Sequence, residues 1–547
     1  MRVVEDKAKQ RRYDLLAWAL VLFAWFYVFP YNQALNNPNE RTRVLQARAL
    51  LTHGQLHVGH TERDSRGRLF VVDLYGQRHG GMFVNDLALV CDKPEKKGPD
   101  CIGKLYPAKA PGTALLGLPA LSVGSLLGLV SSGPEGERAA HLFLRLGGVV
   151  LPMLLCLLAM LRLAAAAGLD SAMRRRLLLA TGLGSSLWTY SLMFVGHALA
   201  GGALVAALYF AWRGRGSFRG AWAWSGAAGL MAGAAVLLEY HAVFAAACLG
   251  GWMLIRANRR LLASFAAGAG IMALLFAGLH WAMFGHPART GHAFLVSGHN
   301  QLSQSTGFLG MSYPHLGSFA AHLGDPYMGL GPLMPWLLAG GVLGLVLLFS
   351  GRKSALHGGA ARTIAAMVVA YLLFVSCLDK WRMMNGWSVG PRYLVPALPM
   401  LALAAGLGWD WLARKARWLA VPVAGLAAAS VLMVGAVTVV FPQPPDWVRN
   451  PFGELALPLL LEGQSVPSLG SFLGSFSMLP MGLILLVVAA WLCWPAERVA
   501  GPRRKTRFVA ALIVALMWVG LWATFSPSEP KAVEDGRTFV RRTLEKR

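Results

Sequence analysis

Charged side chains are scarce in this chain, and acidic ones are the scarcer of the two signs. Only 14% of the 547 residues are charged, with 26 aspartates and glutamates against 51 lysines and arginines. No polar segment between the apolar runs is long enough to form a large soluble domain. The composition therefore excludes a chain built of several soluble domains.

Cysteine is also rare, with six residues in the whole chain. Four of them lie in apolar runs and are expected to be buried packing residues: Cys156, Cys248, Cys377 and Cys493. Cys91 and Cys101 instead close a short polar stretch, CDKPEKKGPDC, and predict a disulfide in an oxidising compartment outside the cytoplasm. Two free thiols are the alternative. A zinc site is disfavoured, because no second Cys or His pair lies nearby at ligand spacing.

Long apolar runs are what the chain has in abundance. Hydrophobic residues make up 56% of it, and the mean hydropathy is +0.49. Runs of about 20 residues, each long enough to cross a hydrocarbon layer of about 30 Å as a helix, recur from end to end. They predict an all-α polytopic integral membrane protein. The net charge of +25 lies in short basic clusters between the runs, which is typical of topology signals and lipid-headgroup contacts and argues against a nucleic-acid partner.

The basic clusters predict how the chain is threaded. The first apolar run follows a basic flank and lacks a small-residue cleavage site, so it predicts a retained signal-anchor helix with a cytoplasmic N-terminus. Two apolar runs separate each later pair of clusters, as this orientation requires. The clusters expected in the cytoplasm are 174–176, 213–219, 256–260, 351–353, 413–417 and 502–507. The runs after the first of them are 177–194, 198–212, 221–238, 240–255, 261–284, 331–350, 362–379, 393–412, 418–441, 477–494 and 508–525.

Two apolar runs lie between the first outer segment and Arg174, but the predicted orientation allows the chain to cross the membrane only once there. The first, 111–130, contains glycine and proline and is predicted to lie along the outer interface as a juxtamembrane helix. The second, 139–166, is predicted to span, which gives about 13 transmembrane helices. The long outer segments are then 32–110, 285–330, 380–392 and 442–476. Any chemistry is expected on this outer face.

The heptapeptide NPNERTR, residues 37–43, places Glu40 just outside the first helix. The stretch ERTRVLQARALL has apolar residues at helical spacing and predicts an amphipathic helix that rests on the membrane. A carboxylate in an outer loop is most often a solvated charge, so Glu40 is a candidate for a functional role only because of the residues around it. Asp86, in FVNDLALV, and Lys109, in KLYPAKAPG, belong to the same outer segment.

Further charged and aromatic residues are expected on the same face. Glu239 ends an apolar run, where a snorkelling carboxylate and a functional one are equally expected. Arg145 lies in the outer half of its predicted helix, where an unpaired charge is costly. Together the cations would form a receptor for a membrane-held phosphate, which arginine binds bidentately. The candidates for contact with that phosphate are Arg43, Tyr106, Lys109, Arg145, His197, Lys380, Arg382 and Arg392, with Tyr393 beside them.

The order of these motifs resembles that of polytopic glycosyltransferases of the GT-C fold, which use polyprenyl-phosphate sugars and include protein O-mannosyltransferases and lipid A aminoarabinose transferases. PNERTRVLQARALLTHGQL is similar to the acidic juxtamembrane region of that family, and YPAKAPGTALLGLP to its Lys-Pro element. Further similar segments are WTYSLMFVGHALAGGAL, GLMAGAAVLLEYHA, FGHPARTGHAFL, MSYPHLGSFAAHLGDPYMGLGPLMPWLL and GWSVGPRYLVPALPML. The resemblance covers roughly residues 10–412. Where the family usually has an Asp-Glu pair, this chain has Asn39 and Glu40.

The resemblance implies an inverting glycosyltransferase in a bacterial inner membrane, with its active site facing the periplasm. The enzyme would move a sugar from a polyprenyl-phosphate donor to a hydroxyl of an acceptor lipid, polysaccharide or protein. Glu40 is the first candidate for the catalytic base and Asp86 the second, because the first acid of the family's pair is missing. No cofactor is implied with certainty. A divalent metal stays an open question, because the sequence shows no ligand-spaced cluster.

The family resemblance also implies a division of the chain. Residues 1–412 would form the catalytic transmembrane module, including the outer loop 32–110, with GT-C-like juxtamembrane helices. Residues 413–547 would add transmembrane helices, the outer loop 442–476 and a short outer tail. The main alternative function is a transporter or lipid flippase, which predicts polar groups at mid-bilayer depth, and a non-catalytic assembly subunit is another.

Overall fold

The computed structural model describes residues 2–28, 37–93, 101–215, 220–296, 302, 310–351, 356, 359–495 and 503–545. Helices dominate these ranges. Six of the described helices are long and apolar enough to cross a membrane: Pro134–Ala166, Ala221–Leu238, Arg259–Phe284, Arg392–Lys415, Ala420–Val440 and Arg504–Thr524. Shorter apolar helices accompany them. The predicted total of about 13 spans is not established by these lengths and stays a prediction.

The helices of the first half follow the predicted runs closely. In chain order they are α1 (Arg2–Val28), α2 (Pro38–His53), α3 (Gly112–Leu126), α4 (Glu137–Arg145), α5 (Leu151–Ala166), α6 (Ser171–Leu183), α7 (Ser186–Ser191), α8 (Gly196–Gly214), α9 (Ala221–Leu238), α10 (Val243–Arg256) and α11 (Arg259–Phe284). A π-helical segment, Leu146–Val150, joins α4 to α5. The two therefore continue each other over the run predicted at 139–166.

The second half contains shorter helices between its long ones. They are α12 (Leu316–Gly324), α13 (Leu330–Leu333), α14 (Pro335–Ser350), α15 (Ala360–Ser376), α16 (Trp381–Asn385), α17 (Leu398–Lys415), α18 (Ala420–Val440), α19 (Leu457–Leu461), α20 (Leu479–Cys493), α21 (Arg504–Thr524) and α22 (Pro530–Glu545). Short segments of tighter or wider helix lie at Pro134–Gly136, Tyr240–Ala242, Gly291–Phe294, Arg392–Ala397, Pro451–Ala456 and Ser471–Phe476.

One predicted run is broken and shifted. The Asp170 side chain accepts a hydrogen bond from the Met173 amide and starts α6 at Ser171, so the basic cluster 174–176 lies inside the helix rather than before it. α6 ends at Leu183 and α7 begins at Ser186, which splits the run predicted at 177–194 into two helices. Hydropathy alone does not detect such a break, because the residues on both sides of it are apolar or small.

The segment predicted at 32–110 to lie outside contains a β-sheet, so the prediction of an all-α chain is wrong there. Five strands, β1 (Gly59–Arg63), β2 (Leu69–Asp73), β3 (Arg78–His79), β4 (Leu87–Cys91) and β5 (Gly103–Pro107), pair antiparallel in the order β3-β2-β1-β5-β4. Two aspartates form the turns of the first two hairpins. Asp64 accepts hydrogen bonds from the amides of Arg66 and Arg68. In the same way, Asp73 accepts hydrogen bonds from the amides of Tyr75 and Gln77. Strands of two to five residues give too short an alternation to stand out beside runs of about 20 apolar residues.

Helix α2 joins the sheet to the helical core. The helix predicted for ERTRVLQARALL is confirmed, but it is buried on nearly every side instead of resting on a membrane with its charges in water. Leu45 and Ala49 pack against the sheet, whereas Val44 and Ala47 belong to the main core of the helical part. Polar side chains of α2 are therefore enclosed and need partners within the protein.

The main core extends across the predicted division of the chain. One cluster of buried apolar side chains includes Trp188 and Leu204 from the first unit together with Val434 and Val540 from the second. Near the end of the chain, Phe539 of α22 packs against Trp387 and Trp447. The boundary at 412 and 413 thus lies within continuous packing, and a functional division there stays a proposal.

A disulfide joins Cys91 at the end of β4 to Cys101, two residues before β5. Its Cα atoms are 5.3 Å apart, which is an ordinary separation for a bridge. Loop closure of this kind typically contributes about 2–4 kcal/mol to stability.

We expect reduction of the disulfide, or Cys91→Ser, to speed amide hydrogen exchange of residues 87–91 and 103–107 by about tenfold or more. Exchange mass spectrometry measures this, with Cys377→Ser as the control, and unchanged exchange after reduction would contradict it.

Candidate functional site

A cavity of about 470 Å³ lies beside α9 and α11, at the end of α9. One wall is apolar and consists of side chains from these two helices: Gly233, Val236, Ala269, Met272, Ala273 and Phe276. The rest of the lining, called the polar end below, holds the polar residues Asn39, Lys109, His197, Glu239, Tyr240, His241, Thr290, His292, Arg392 and Tyr393 together with the apolar residues Val243, Phe244, Ala288, Met311, Phe374 and Met384. The cavity thus combines an apolar wall suited to hydrocarbon with charged groups suited to an anion.

Glu239 reaches the polar end because α9 stops just before it. Its backbone is extended, and the single turn Tyr240–Ala242 follows before α10 begins. The carboxylate accepts a hydrogen bond of 2.9 Å from the Arg43 guanidinium, whose side chain is fully buried. Burial raises the pKa of Glu239 above its usual value, although Arg43, Lys109 and Arg392 act in the opposite direction.

Two histidines flank the Glu239 carboxylate. His197 Nδ1 lies 3.6 Å from one carboxylate oxygen, and His241 Nε2 lies 3.8 Å from the other. The two imidazoles lie nearly parallel to each other, and Tyr393 meets both edge to face.

Three cations surround the polar end. Arg43 also donates a hydrogen bond to the Asn39 carbonyl at 2.9 Å. Arg392 lies over the Tyr393 ring, with its guanidinium carbon 5.4 Å from the ring centre, and donates to the Met384 carbonyl. Lys109 Nζ is 3.4 Å from an Asp86 oxygen. Lys109 and Arg392 line the cavity, whereas Arg43 lies behind Glu239. Three cations stand against the two carboxylates Glu239 and Asp86, so the site carries an excess of positive charge and favours an anionic ligand.

Asp86 is placed beside Lys109 by the sheet. Its carbonyl accepts a hydrogen bond of 3.0 Å from the Ala108 amide, which fixes the start of β4 against the end of β5. The side chain is largely buried. Burial acts to raise the pKa of Asp86, but Lys109, then Arg392 and Arg43, outweigh it and hold the pKa below its usual value. The carboxylate is therefore ionised at neutral pH, next to groups that line the cavity.

Glu40 occupies a different place from the one the sequence suggests. Only 1% of the residue is exposed. The Arg145 guanidinium donates two hydrogen bonds to the carboxylate, of 2.6 and 2.8 Å. The Phe194 amide donates a third, of 2.8 Å. Burial acts to raise the pKa of Glu40, but Arg145 more than offsets this and lowers the pKa overall. It is the neighbouring residue, Asn39, that lines the cavity.

Five of the eight residues predicted to contact a phosphate are not among those that line the cavity. Arg43 is one of them, since it lies behind Glu239 and donates to its carboxylate. Arg145 pairs with Glu40 instead. Tyr106 packs edge to face on Phe284 in a separate apolar cluster. Lys380 donates to the Leu302 carbonyl at 2.9 Å, and Arg382 stacks on Trp381. The structure brings together Arg43, Lys109, His197, Glu239, Arg392 and Tyr393.

Several cavity residues were not singled out from the sequence. His241 follows Glu239 by two residues in LLEYHA, and that adjacency at the end of an apolar run is a signal that could have identified it. His292 lies in the loop FGHPARTGH, which the sequence places on the outer face without ranking its histidines. The apolar wall has no sequence signal, because any spanning helix carries similar residues.

Comparisons with known proteins give structural likenesses only: no protein-family model and no curated protein matches the chain. ArnT from Cupriavidus metallidurans in the apo state is 14% identical with a TM-score of 0.47, over 97% of this chain and 88% of that one. The same protein bound to undecaprenyl phosphate is 13% identical with a TM-score of 0.43, over the same shares. The oligosaccharyltransferase AglB from Archaeoglobus fulgidus, in complex with an inhibitory peptide and a dolichol-phosphate, is 12% identical with a TM-score of 0.45, over 98% of this chain and 69% of that one.

ArnT, an aminoarabinose transferase, and AglB are GT-C-fold enzymes, the group that the sequence motifs resemble. At identities of at most 14% and TM-scores below 0.5, these likenesses carry no argument about the activity of this chain.

Proposed function

We propose that this protein is a glycosyltransferase that moves a sugar from a polyprenyl-phosphate donor to an acceptor hydroxyl on the outer face of the membrane. The observation that carries the proposal is the two-part cavity. Its apolar wall lies on α9 and α11, and Lys109 and Arg392 stand at its polar end. A polyprenyl phosphate has the same two parts, a hydrocarbon tail and an anionic head.

The position of the cavity along the chain supports the same ligand. Both α9 and α11 are long and apolar enough to cross a membrane. The wall residues Ala269, Met272 and Phe276 lie within α11, whereas Glu239 follows the last residue of α9. A tail lying against the wall would thus remain at hydrocarbon depth while its phosphate reached the helix end. The charge pattern of the sequence predicts that this end faces outward.

Asp86 is the group we assign as general base. Its carboxylate would take the proton from the acceptor hydroxyl as the oxygen attacks the anomeric carbon of the sugar. The bond between that carbon and the phosphate oxygen breaks, and its electron pair leaves with the polyprenyl phosphate. Attack from the face opposite the leaving group inverts the anomeric centre. Glu40 is not assigned this role, because Arg145 and the Phe194 amide occupy its oxygens.

The cations would stabilise the charge that develops on the leaving phosphate. Lys109 and Arg392 line the cavity and would contact the phosphate directly. Arg43 is held between the Asn39 carbonyl and Glu239, so it would act by positioning Glu239 and by its charge. Fixed donors at the place where charge appears are the largest single contribution in many enzymes.

Lys109→Met tests the ligand assignment. A hydrogen bond to a charged partner contributes about 1.5–3 kcal/mol, so we expect the affinity for a polyprenyl phosphate to fall by about 10–100-fold. The measurement is a binding titration in lipid nanodiscs without any sugar acceptor.

Lys380→Met is the matched control for that titration. It removes the same charge from a lysine that does not line the cavity, and it should leave the affinity unchanged. Equal losses in the two variants, or no loss in Lys109→Met, would contradict the assignment of the cavity to a polyprenyl phosphate.

A further inference from the structure

His197, Glu239 and His241 bring three potential metal-binding atoms within 4.8 Å of one another. All three residues are buried, and they come from two elements, the first turn of α8 and the turn after α9. This grouping has no sequence signature, because His197 lies more than 40 residues before the other two.

The separations do not correspond to hydrogen bonds. The two imidazole nitrogens lie 3.6 and 3.8 Å from the carboxylate oxygens, whereas a hydrogen bond between nitrogen and oxygen measures about 2.7–3.2 Å. Ligands of a tetrahedral zinc ion, each about 2.0–2.1 Å from the metal, lie about 3.4 Å apart. The observed spacing is close to that of a ligand set around a small cation.

The ring nitrogens also lack other partners. Among the residues that the structure describes, no hydrogen-bond partner is found for either nitrogen of His197 or of His241. Four buried, unpaired nitrogen atoms in two adjacent rings are costly, because each loses its hydrogen bonds to water. A metal bound to one nitrogen of each ring would remove part of that cost.

We propose that His197, Glu239 and His241 form a zinc-binding site at the polar end of the cavity. Two imidazoles and one carboxylate are a known three-ligand set for Zn²⁺ and leave a fourth position open. Magnesium and calcium prefer a shell of oxygen ligands, which this cluster does not offer. The nearby positive charges of Arg43 and Arg392 also disfavour ions that would be held by charge alone.

The groups around His197, Glu239 and His241 hold these side chains in fixed orientations, as groups around metal ligands do. Arg43 donates to the Glu239 carboxylate at 2.9 Å and would fix its orientation, as hydrogen bonds to metal-binding carboxylates do. Tyr190 and Tyr393 meet the His197 ring edge to face, and Phe374 stacks on His241. The two imidazoles are thereby held in place before any ion arrives.

The open position of such an ion would face the cavity, since all three ligands line it. An oxygen of an anionic ligand, such as a phosphate, would complete the coordination there. This last point rests on the proposed function. The binding of zinc itself does not, and it can be measured without a lipid donor or an acceptor.

The experiment is metal binding by the full-length protein, purified in detergent and treated with a chelator. Zn²⁺ is titrated by calorimetry, and elemental analysis after desalting gives the stoichiometry. We expect one tightly bound Zn²⁺ per chain, and Co²⁺ in its place should show the intense visible absorption of tetrahedral coordination. His241→Gln and His197→Gln should each weaken binding by about 100-fold or more.

His322→Gln is the matched control. His322 is also buried, but its ring already has the Ser318 carbonyl and Asn385 as partners, and it does not line the cavity. Zinc binding by this variant should equal that of the wild type. The proposal is overturned if the wild-type protein retains no stoichiometric zinc, if Co²⁺ gives no tetrahedral spectrum, or if the control loses as much affinity as the other two variants. None of these results bears on the titration of Lys109→Met with a polyprenyl phosphate.

Discussion

Asp86→Asn is expected to slow sugar transfer by about 10²–10⁴-fold, which is the usual contribution of a general base. Asparagine has nearly the same shape but does not accept the proton of the acceptor hydroxyl. Donor binding should not weaken, because the substitution removes a negative charge beside Lys109 and so favours an anionic ligand. The measurement is single-turnover transfer from a polyprenyl-phosphate sugar in proteoliposomes, together with the affinity for the polyprenyl phosphate.

Asp73→Asn is the matched control for this substitution. Asp73 lies in the same sheet and is similarly buried, but its carboxylate caps a turn and pairs with His79 at 2.9 Å. Its loss should weaken the sheet without slowing transfer by folded protein. If Asp86→Asn is folded and fully active, the base is another group and the role assigned to Asp86 is wrong.

Glu40→Gln is expected to destabilise the protein by about 3–5 kcal/mol, because it leaves the buried Arg145 guanidinium without its counter-charge. The pair is 1% exposed on both sides, so water does not replace the lost carboxylate. Thermal unfolding of the purified protein in detergent measures the effect. Protein that remains folded at low temperature should keep its rate of transfer, since Arg145 and the Phe194 amide occupy the oxygens of the Glu40 carboxylate.

A control and a rescue distinguish this explanation from a catalytic one. Glu137→Gln removes the partly exposed partner of Arg41, at 3.5 Å, and should change stability by less than about 1 kcal/mol. Glu40→Gln combined with Arg145→Met should be more stable than Glu40→Gln alone, because no unpaired charge stays buried. A folded Glu40→Gln variant that is stable but inactive would contradict the structural role and return Glu40 to the position of base.

The pH dependence of stability follows from the lowered pKa of Glu40. A carboxylate with a depressed folded-state pKa contributes stability above its unfolded value of about 4.3, and that contribution is lost as the pH falls through the folded-state value. The stability difference between the wild type and Glu40→Gln should therefore be full at neutral pH and shrink in acid.

Local periodicity was enough to predict most of the helices. Apolar residues at helical spacing predict the helix that contains Glu40 in its first turn, and a long apolar run predicts the continuous helix over 139–166. Both signals are contained in neighbouring residues. The sequence near Glu40 does not reveal its role, because its partners Arg145 and Phe194 lie 105 and 154 positions further along the chain.

The sheet and the histidine cluster were missed for related reasons. The strands are short, and their hairpins depend on the side chains of Asp64 and Asp73 rather than on a long alternating pattern. His197 and His241 become neighbours only when the start of α8 meets the end of α9. Such contacts depend on packing and have no local sequence signal.

Asn39 stands where the family that the sequence resembles usually has an acid, and its side chain lies at the cavity. In that family the acid is the first of a pair, and here an amide replaces it. Successive residues of a helix point about 100° apart, so Glu40 faces Arg145 instead of the cavity. The proposed base therefore comes from another element: Asp86, on the sheet, lies 3.4 Å from Lys109, which lines the cavity.

The central claim is that the cavity holds a polyprenyl phosphate, and a cryo-electron microscopy structure of the protein in nanodiscs with that lipid tests it most directly. The account predicts a phosphate within hydrogen-bond distance of Lys109 and Arg392, with the first isoprenoid units lying against Met272 and Phe276 of α11. A phosphate bound elsewhere, or a cavity filled by an acyl chain whose headgroup contacts neither cation, would contradict it.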